Sequence, residues 1–194
     1  MNFAIFKKGE YLQREFWLGP SSALSRVEIE IGSGNCVFII EAARRNPDTL
    51  YAGFDIRRSV IAKATASAQA LPPNLQLFNL DARWLVSELL APNSIDALHV
   101  YFPDPWWKKR HHKRRLFNAD FCRGVQRCLR PWGKLFLVTD VVSLGELIGE
   151  SLLAAGLEAR PWKRGPDHPP CSAYEKKYRA QGRAFLEIAF VKIP

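Results

Sequence analysis

From Val27 onward, short apolar runs alternate with longer segments whose apolar residues recur at helical spacing, and few folds accommodate that rhythm. A strand that is apolar on both faces needs cover on both, which crossover helices supply, so the pattern predicts a parallel sheet with helices on each side. The runs 27–31, 50–54, 75–79, 95–102 and 134–139 read as strands, and 37–45, 59–70, 83–90, 118–129 and 143–155 as helices, with Gly156 ending the last. The tail breaks the rhythm. Residues 157–162 and 184–193 read as two strands joined by a polar, proline-rich loop rather than by a helix, and strands without a crossover pair antiparallel. Five β-α units closed by such a hairpin predict an α/β, doubly wound, Rossmann-like sheet of seven strands.

At 194 residues and 47% hydrophobic content the chain suits one domain, taken as 27–194 behind an N-terminal extension of residues 1–26. Lys7, Lys8 and Glu10 interrupt the first apolar stretch before it can serve as a secretory signal, and no later run reaches membrane-spanning length. Four cysteines without a C-x-x-C pair favour a reducing compartment, so the expected location is cytoplasmic and no membrane partner is expected. Cys122 and Cys128 sit on an apolar helical face and read as core. His99, His111, His112 and His168 are not spaced with the cysteines as metal ligands, so no metal is expected. Ser33 lies in no Gly-x-Ser-x-Gly elbow, which argues against covalent catalysis. A net charge of +9 favours a polyanionic partner. The aromatic residues Phe3, Phe6, Tyr11, Phe16 and Trp17 of the extension suggest docking, either on this domain or on RNA. Oligomeric state leaves no mark in the sequence.

In open α/β sheets ligands bind beyond the carboxyl ends of the strands, which directs attention to the residues after each run. After the first stand Glu30-Ile31-Gly32-Ser33-Gly34-Asn35-Cys36, where Gly32 and Gly34 permit a tight turn and close approach of a ligand. Asp55 ends the second strand about twenty residues on, placed to accept from both hydroxyls of a ribose. Asp81, after the third, suits an adenine amino group and equally the N-cap of the next helix. Cys36 stands where a dinucleotide site has a third glycine, which disfavours a pyrophosphate, and with it a nicotinamide oxidoreductase, and favours S-adenosylmethionine. Glu30 suits that cofactor's ammonium group, or else is an outward strand carboxylate like Glu28. The fourth strand runs into Tyr101-Phe102-Pro103-Asp104-Pro105-Trp106-Trp107, where two prolines stiffen the backbone around Asp104, and then into Lys108-Lys109-Arg110-His111-His112-Lys113-Arg114-Arg115. Trp106 and Trp107 serve either packing or base stacking.

These residues resemble those of the bacterial tRNA (guanine-N(7)-)-methyltransferases. The likeness is carried by the glycine turn, Asp55, Asp81, Phe102-Pro103-Asp104-Pro105-Trp106, the basic run 110–115, Thr139-Asp140 and Ser172-Ala173-Tyr174-Glu175. It implies a class I S-adenosylmethionine-dependent methyltransferase fold and methyl transfer to guanine N7 in the tRNA variable loop. It also implies that Glu30, Gly32, Gly34, Asp55, Asp81 and Asp104 hold the cofactor, with Asp104 also serving the acceptor. Lys108, Asp140, Ser172, Ala173, Tyr174 and Glu175 would contact the RNA substrate, and Lys109, Arg110, Lys113, Arg114 and Arg115 its backbone. The sequence departs from the family pattern at Cys36, where glycine is usual, at Asp55, where glutamate is frequent, and at Ser172, where threonine is usual. A noncatalytic RNA-binding protein that keeps the fold is the remaining alternative, and an intact Asp104 argues against it.

Overall fold

The computed structural model describes residues 24–67, 71–105, 115–165 and 173–194. Seven strands, β1 (Arg26–Ile31), β2 (Thr49–Asp55), β3 (Leu75–Asn79), β4 (Ile95–Tyr101), β5 (Leu129–Thr139), β6 (Leu157–Pro161) and β7 (Leu186–Lys192), form one sheet in the order β3-β2-β1-β4-β5-β7-β6. The first five are parallel, and β7 runs antiparallel to both β5 and β6. The strand order reverses between β1 and β4, so the crevice for a ligand opens beyond their carboxyl ends.

The helices are α1 (Val37–Arg45), α2 (Arg58–Ser67), α3 (Ala82–Trp84), α4 (Ala119–Cys128), α5 (Val142–Ala154) and α6 (Ala173–Ala180). No described helix is long and apolar enough to cross a membrane. In α4 the Asn118 side chain caps the first turn by accepting from the Phe121 N–H at 2.9 Å, and Phe121, Cys122, Val125 and Cys128 form its buried stripe. Helix α3 passes into a π-helical turn, Leu85–Leu89, closed by the Leu90 N–H on the Leu85 carbonyl at 2.9 Å. That turn delivers Leu85, Val86 and Leu89 to the core, where a regular helix over 83–90 was expected.

The tail connection corrects the sequence-based expectation of a helix-free loop, because α6 lies within it. Its inward side chain is Glu175, 2% exposed, and a charge facing inward leaves no trace in hydrophobic periodicity. Strand β5 also begins earlier than expected, at Leu129. Regular pairing with β4 nonetheless jumps from Ile95↔Leu129 to Ala97↔Lys134, which leaves Pro131, Trp132 and Gly133 in the irregularity that their residue types suggest.

The sheet is covered on both faces. Val27, Ile29, Ile31, Leu50, Phe54, Leu98, Val100, Leu135 and Leu137 pack on one side with the π-turn, α4 and α5. On the other, Tyr51, Tyr101 and Val138 meet Phe38, Ile39, Ala42 and Ala43 of α1. That second face carries polar residues as well. The buried His99 ring has Nε2 2.9 Å from Glu28 and Nδ1 2.8 Å from the Tyr101 hydroxyl, and it stacks on Phe136. Burial works against ionising Glu28, but His99 and Arg26 outweigh it and hold the carboxyl down at about 2.

Candidate active site

The turn after β1 is held from the neighbouring strand, since the Gly32 and Ser33 N–H groups both donate to the Phe54 carbonyl, at 2.8 and 3.0 Å. Gly32 and Gly34 adopt φ of +72° and +52°, and nothing lies within 4 Å of where a Gly32 Cβ would stand, so the turn leaves open space for a ligand. Cys36, at the N-cap of α1, has φ 58°, a left-handed conformation in which a non-glycine residue is strained by about 1–2 kcal/mol. The departure at this position is therefore a backbone cost rather than a reactive thiol. Burial pushes the Cys36 thiol up to about 11.

Glu30 is not the outward carboxylate that Glu28 suggested. It is 2% exposed, its Oε2 has no hydrogen-bond partner among the described residues, and burial together with the charge of Asp55 raises its pKa well above the ordinary carboxylate range. Asp55, at the end of β2, accepts from the Gly34 N–H at 3.0 Å and from the Arg57 N–H at 2.8 Å, and its two oxygens also take the Arg57 guanidinium. Burial works to raise its pKa, and these donors prevail and hold it below the usual value. Asp81 caps α3 by accepting from the Arg83 N–H at 2.8 Å, and it also pairs with the Arg83 guanidinium at 2.7 Å. Its capping role is thus present, and the carboxylate still faces the ligand space.

Phe102 turns the chain sharply at the end of β4, with φ 51° and its N–H on the Val138 carbonyl at 2.7 Å. Its ring meets Phe185 edge-on at 5.5 Å, which fixes the start of the Pro103-Asp104-Pro105 loop and leaves Asp104 exposed. A cavity of about 600 Å³ opens at this edge of the sheet, a volume suited to a nucleoside-sized ligand. Gly32, Asp55, Asp81, Asp104 and Arg115 line it together with apolar residues that include Ile56 and Leu147. Glu30 and Gly34 are not among its lining residues. Glu30 is buried next to the lining residues Ile31 and Gly32.

The expected RNA-contacting residues are placed differently. Asp140 pairs with Arg183 at 2.7 Å and does not line the cavity. Glu175 sits in a buried cluster, 2.5 Å from Arg164 and 2.6 Å from Arg179, and both arginines also reach Glu187. Ala173 and Tyr174 belong to the first turn of α6. Lys108, Lys109, Arg110, Lys113, Arg114 and Ser172 lie outside the described residues, as do Trp106 and Trp107. Arg115 is described, and its buried Nε has no hydrogen-bond partner among the described residues. Arg57 and Arg83 line the cavity without having been singled out in the sequence. The signal for them was the repeat Asp55-Ile56-Arg57 and Asp81-Ala82-Arg83 at the ends of successive strands.

A doubly wound seven-stranded sheet with this strand order and a glycine turn after β1 is the class I methyltransferase fold. Solved structures share the fold. They include the aminoglycoside resistance methyltransferase NpmB1 (TM-score 0.64, 22% identity, 94% of each chain) and a 16S rRNA (adenine(1408)-N(1))-methyltransferase from Catenulisporales acidiphilia with cosubstrate SAM (TM-score 0.62, 17% identity, 94% of this chain and 92% of that one). The family described as "Putative methyltransferase" matches residues 25–188. A tRNA (guanine-N(7)-)-methyltransferase of Treponema pallidum is 34% identical over 90% of this chain and 70% of its own length. One of Lactiplantibacillus plantarum is 35% identical over 89% of this chain and 84% of its own. The chain belongs to the tRNA (guanine-N(7)-)-methyltransferase family.

Proposed function

We propose that this enzyme transfers a methyl group from S-adenosylmethionine to N7 of a guanine in the tRNA variable loop. The observation that carries the reading is the cavity in which Asp55, Asp81 and Asp104 converge from beyond β2, β3 and β4, beside the glycine turn that follows β1. The residues fit the cofactor. Asp55 faces the ribose and Asp81 the adenine, while the orphaned Oε2 of Glu30 is an acceptor waiting for a cation such as the ammonium group. When bound, S-adenosylmethionine supplies an electrophilic methyl group on a sulfonium sulfur.

Guanine N7 carries an unprotonated lone pair at neutral pH, so no general base is needed and alignment is the main demand on the protein. Asp104, stiffened by its flanking prolines, orients the base through a hydrogen bond and stabilises the positive charge that the ring acquires. N7 is out of reach in a regular A-form groove, so the target must be a loop base or a base turned out of its stack. The run 108–115 neutralises phosphates, Ser172, Ala173 and Tyr174 border the RNA, and Asp140 and the buried Glu175 act there through their arginine partners. In this reading residues 1–26 are an extension to a catalytic domain of 27–194, and the enzyme works in the cytoplasm on tRNA without a metal. Incubation with bulk tRNA and labelled S-adenosylmethionine, followed by digestion to nucleosides, should place the label in 7-methylguanosine. Label in any other nucleoside, or none in tRNA, contradicts the reading.

A further inference from the structure

A carboxylate offers about four acceptor positions, and all four of Asp55's are taken. Oδ1 accepts from the Arg57 N–H at 2.8 Å and from Nε at 3.1 Å, and Oδ2 accepts from the Gly34 N–H at 3.0 Å and from Nη2 of Arg57 at 3.1 Å. Ribose hydroxyls that donate to Asp55 must therefore displace something. The Gly34 and Arg57 N–H groups belong to the backbone of the glycine turn and of the entry to α2, and they cannot leave without undoing those elements. The guanidinium can leave, because the Arg57 side chain is 64% exposed, whereas that of Asp55 is 3% exposed. Two hydroxyls would replace two N–H donors one for one.

We propose that Arg57 is a built-in occupant of the ribose subsite, its guanidinium filling the two Asp55 acceptor positions that the cofactor's hydroxyls take, so that binding the cofactor expels it. This inference rests on the reading of Asp55 as the ribose ligand. The expelled guanidinium has a neighbour of opposite charge, since Asp104 lines the same cavity and its charge already acts on Arg57. Arg57 is thus a positioning residue that withholds Asp55 from solvent and from weak competitors until a vicinal diol arrives. The pair Asp81 and Arg83 repeats the motif, but its carboxylate is 33% exposed, so water can share that site and no displacement is required.

Titration calorimetry on the full chain tests this with two probes, S-adenosylhomocysteine and its 2′,3′-dideoxy analogue. An exposed cation on one carboxylate contributes modestly, so Arg57→Ala should tighten S-adenosylhomocysteine by about twofold to fivefold and leave the dideoxy analogue unchanged. The variant keeps the backbone N–H at position 57, and thermal melting verifies that it folds. Weaker or unchanged binding of S-adenosylhomocysteine overturns the proposal, because Arg57 would then orient Asp55 for the ribose or have no part in binding. Equal tightening of both probes overturns it too, since removal of a positive charge from the cavity would explain that result. Asp55→Asn is the independent check on the parent reading. It should weaken S-adenosylhomocysteine by about tenfold and spare the dideoxy analogue, and wild-type affinity for this variant refutes the ribose assignment itself.

Discussion

Glu30→Gln keeps the shape of a buried side chain and removes only its capacity to become an anion. In the free protein that capacity is suppressed, because burial and the nearby Asp55 charge disfavour the carboxylate. The cofactor's ammonium group reverses the preference, so binding should ionise Glu30 and release a proton. A hydrogen bond to a charged partner contributes about 1.5–3 kcal/mol net, equivalent to about 12- to 150-fold in affinity. Against this stands the cost of removing the proton, about 1.4 kcal/mol for each unit by which the free pKa exceeds the solution pH. The loss in Glu30→Gln is therefore at most about 150-fold, less by that cost at pH values below the raised pKa, and it should grow as the pH rises. The sign follows from linkage. Ligand that favours the carboxylate binds more tightly as pH rises toward the raised pKa, so wild-type affinity should increase with pH from the ordinary carboxylate range up to that raised pKa while that of the variant stays flat. Asp55 and Asp81 are held below the usual carboxylate range and do not titrate in that window. Calorimetry with S-adenosylhomocysteine in buffers of different ionisation enthalpy measures the affinity and the proton count together. An affinity within twofold of wild type, or no proton release by wild type, would refute the assignment of Glu30 to the ammonium group.

Three further outcomes are expected. Asp104→Asn should lower single-turnover methylation more than about tenfold and keep tRNA affinity within a few-fold, and a wild-type rate would leave Asp104 only a loop-shaping role. Replacing Lys113, Arg114 and Arg115 together with alanine should flatten the slope of log affinity for tRNA against log salt by about 0.7 to 0.9 per lost phosphate contact, and an unchanged slope would make the run a solvated face. Glu28, held at about 2 by His99 and Arg26 against its burial, gives stability that is fully present above its ordinary carboxylate pKa and is lost as pH falls from there through the lowered value. Urea unfolding of Glu28→Gln should thus show a loss of up to about 3 kcal/mol at neutral pH that shrinks in acid, and an equal loss at both would point to packing instead.

The parallel half of the fold was legible because short, mainly apolar strands alternate there with longer helical segments, even though Glu28 and Glu30 interrupt β1 and Gln76 interrupts β3. What stayed hidden has a common cause. Helix α6 buries a carboxylate, and the arginines that satisfy it come from beyond β6 and from its own next turn, so neither periodicity nor composition marked it. The Leu85–Leu89 turn follows the same apolar pattern as an α-helix, and only the i→i+5 bond distinguishes it. At the site, Asp55, Asp81 and Asp104 could be found because they follow strands, and the fold alone brings strand ends together. Whether Glu30 faced inward was not decidable from β1, where Glu28 has the same parity. One carboxylate is fully buried, and the other is within reach of Arg26 and His99. The role of Arg57 was equally invisible, since it depends on how many acceptor positions of one carboxylate are already filled.

The central claim is methyl transfer to N7 of a variable-loop guanine, and replacing that single atom tests it most directly. Two tRNAs identical except for 7-deazaguanine at the variable-loop guanine should bind the enzyme equally, because phosphate contacts and fold are unchanged. With saturating labelled S-adenosylmethionine under single-turnover conditions, the account predicts one methyl group per unmodified tRNA and none on the 7-deaza tRNA. Equal labelling of the two would contradict it, since the methyl group would then be going to another atom or another base.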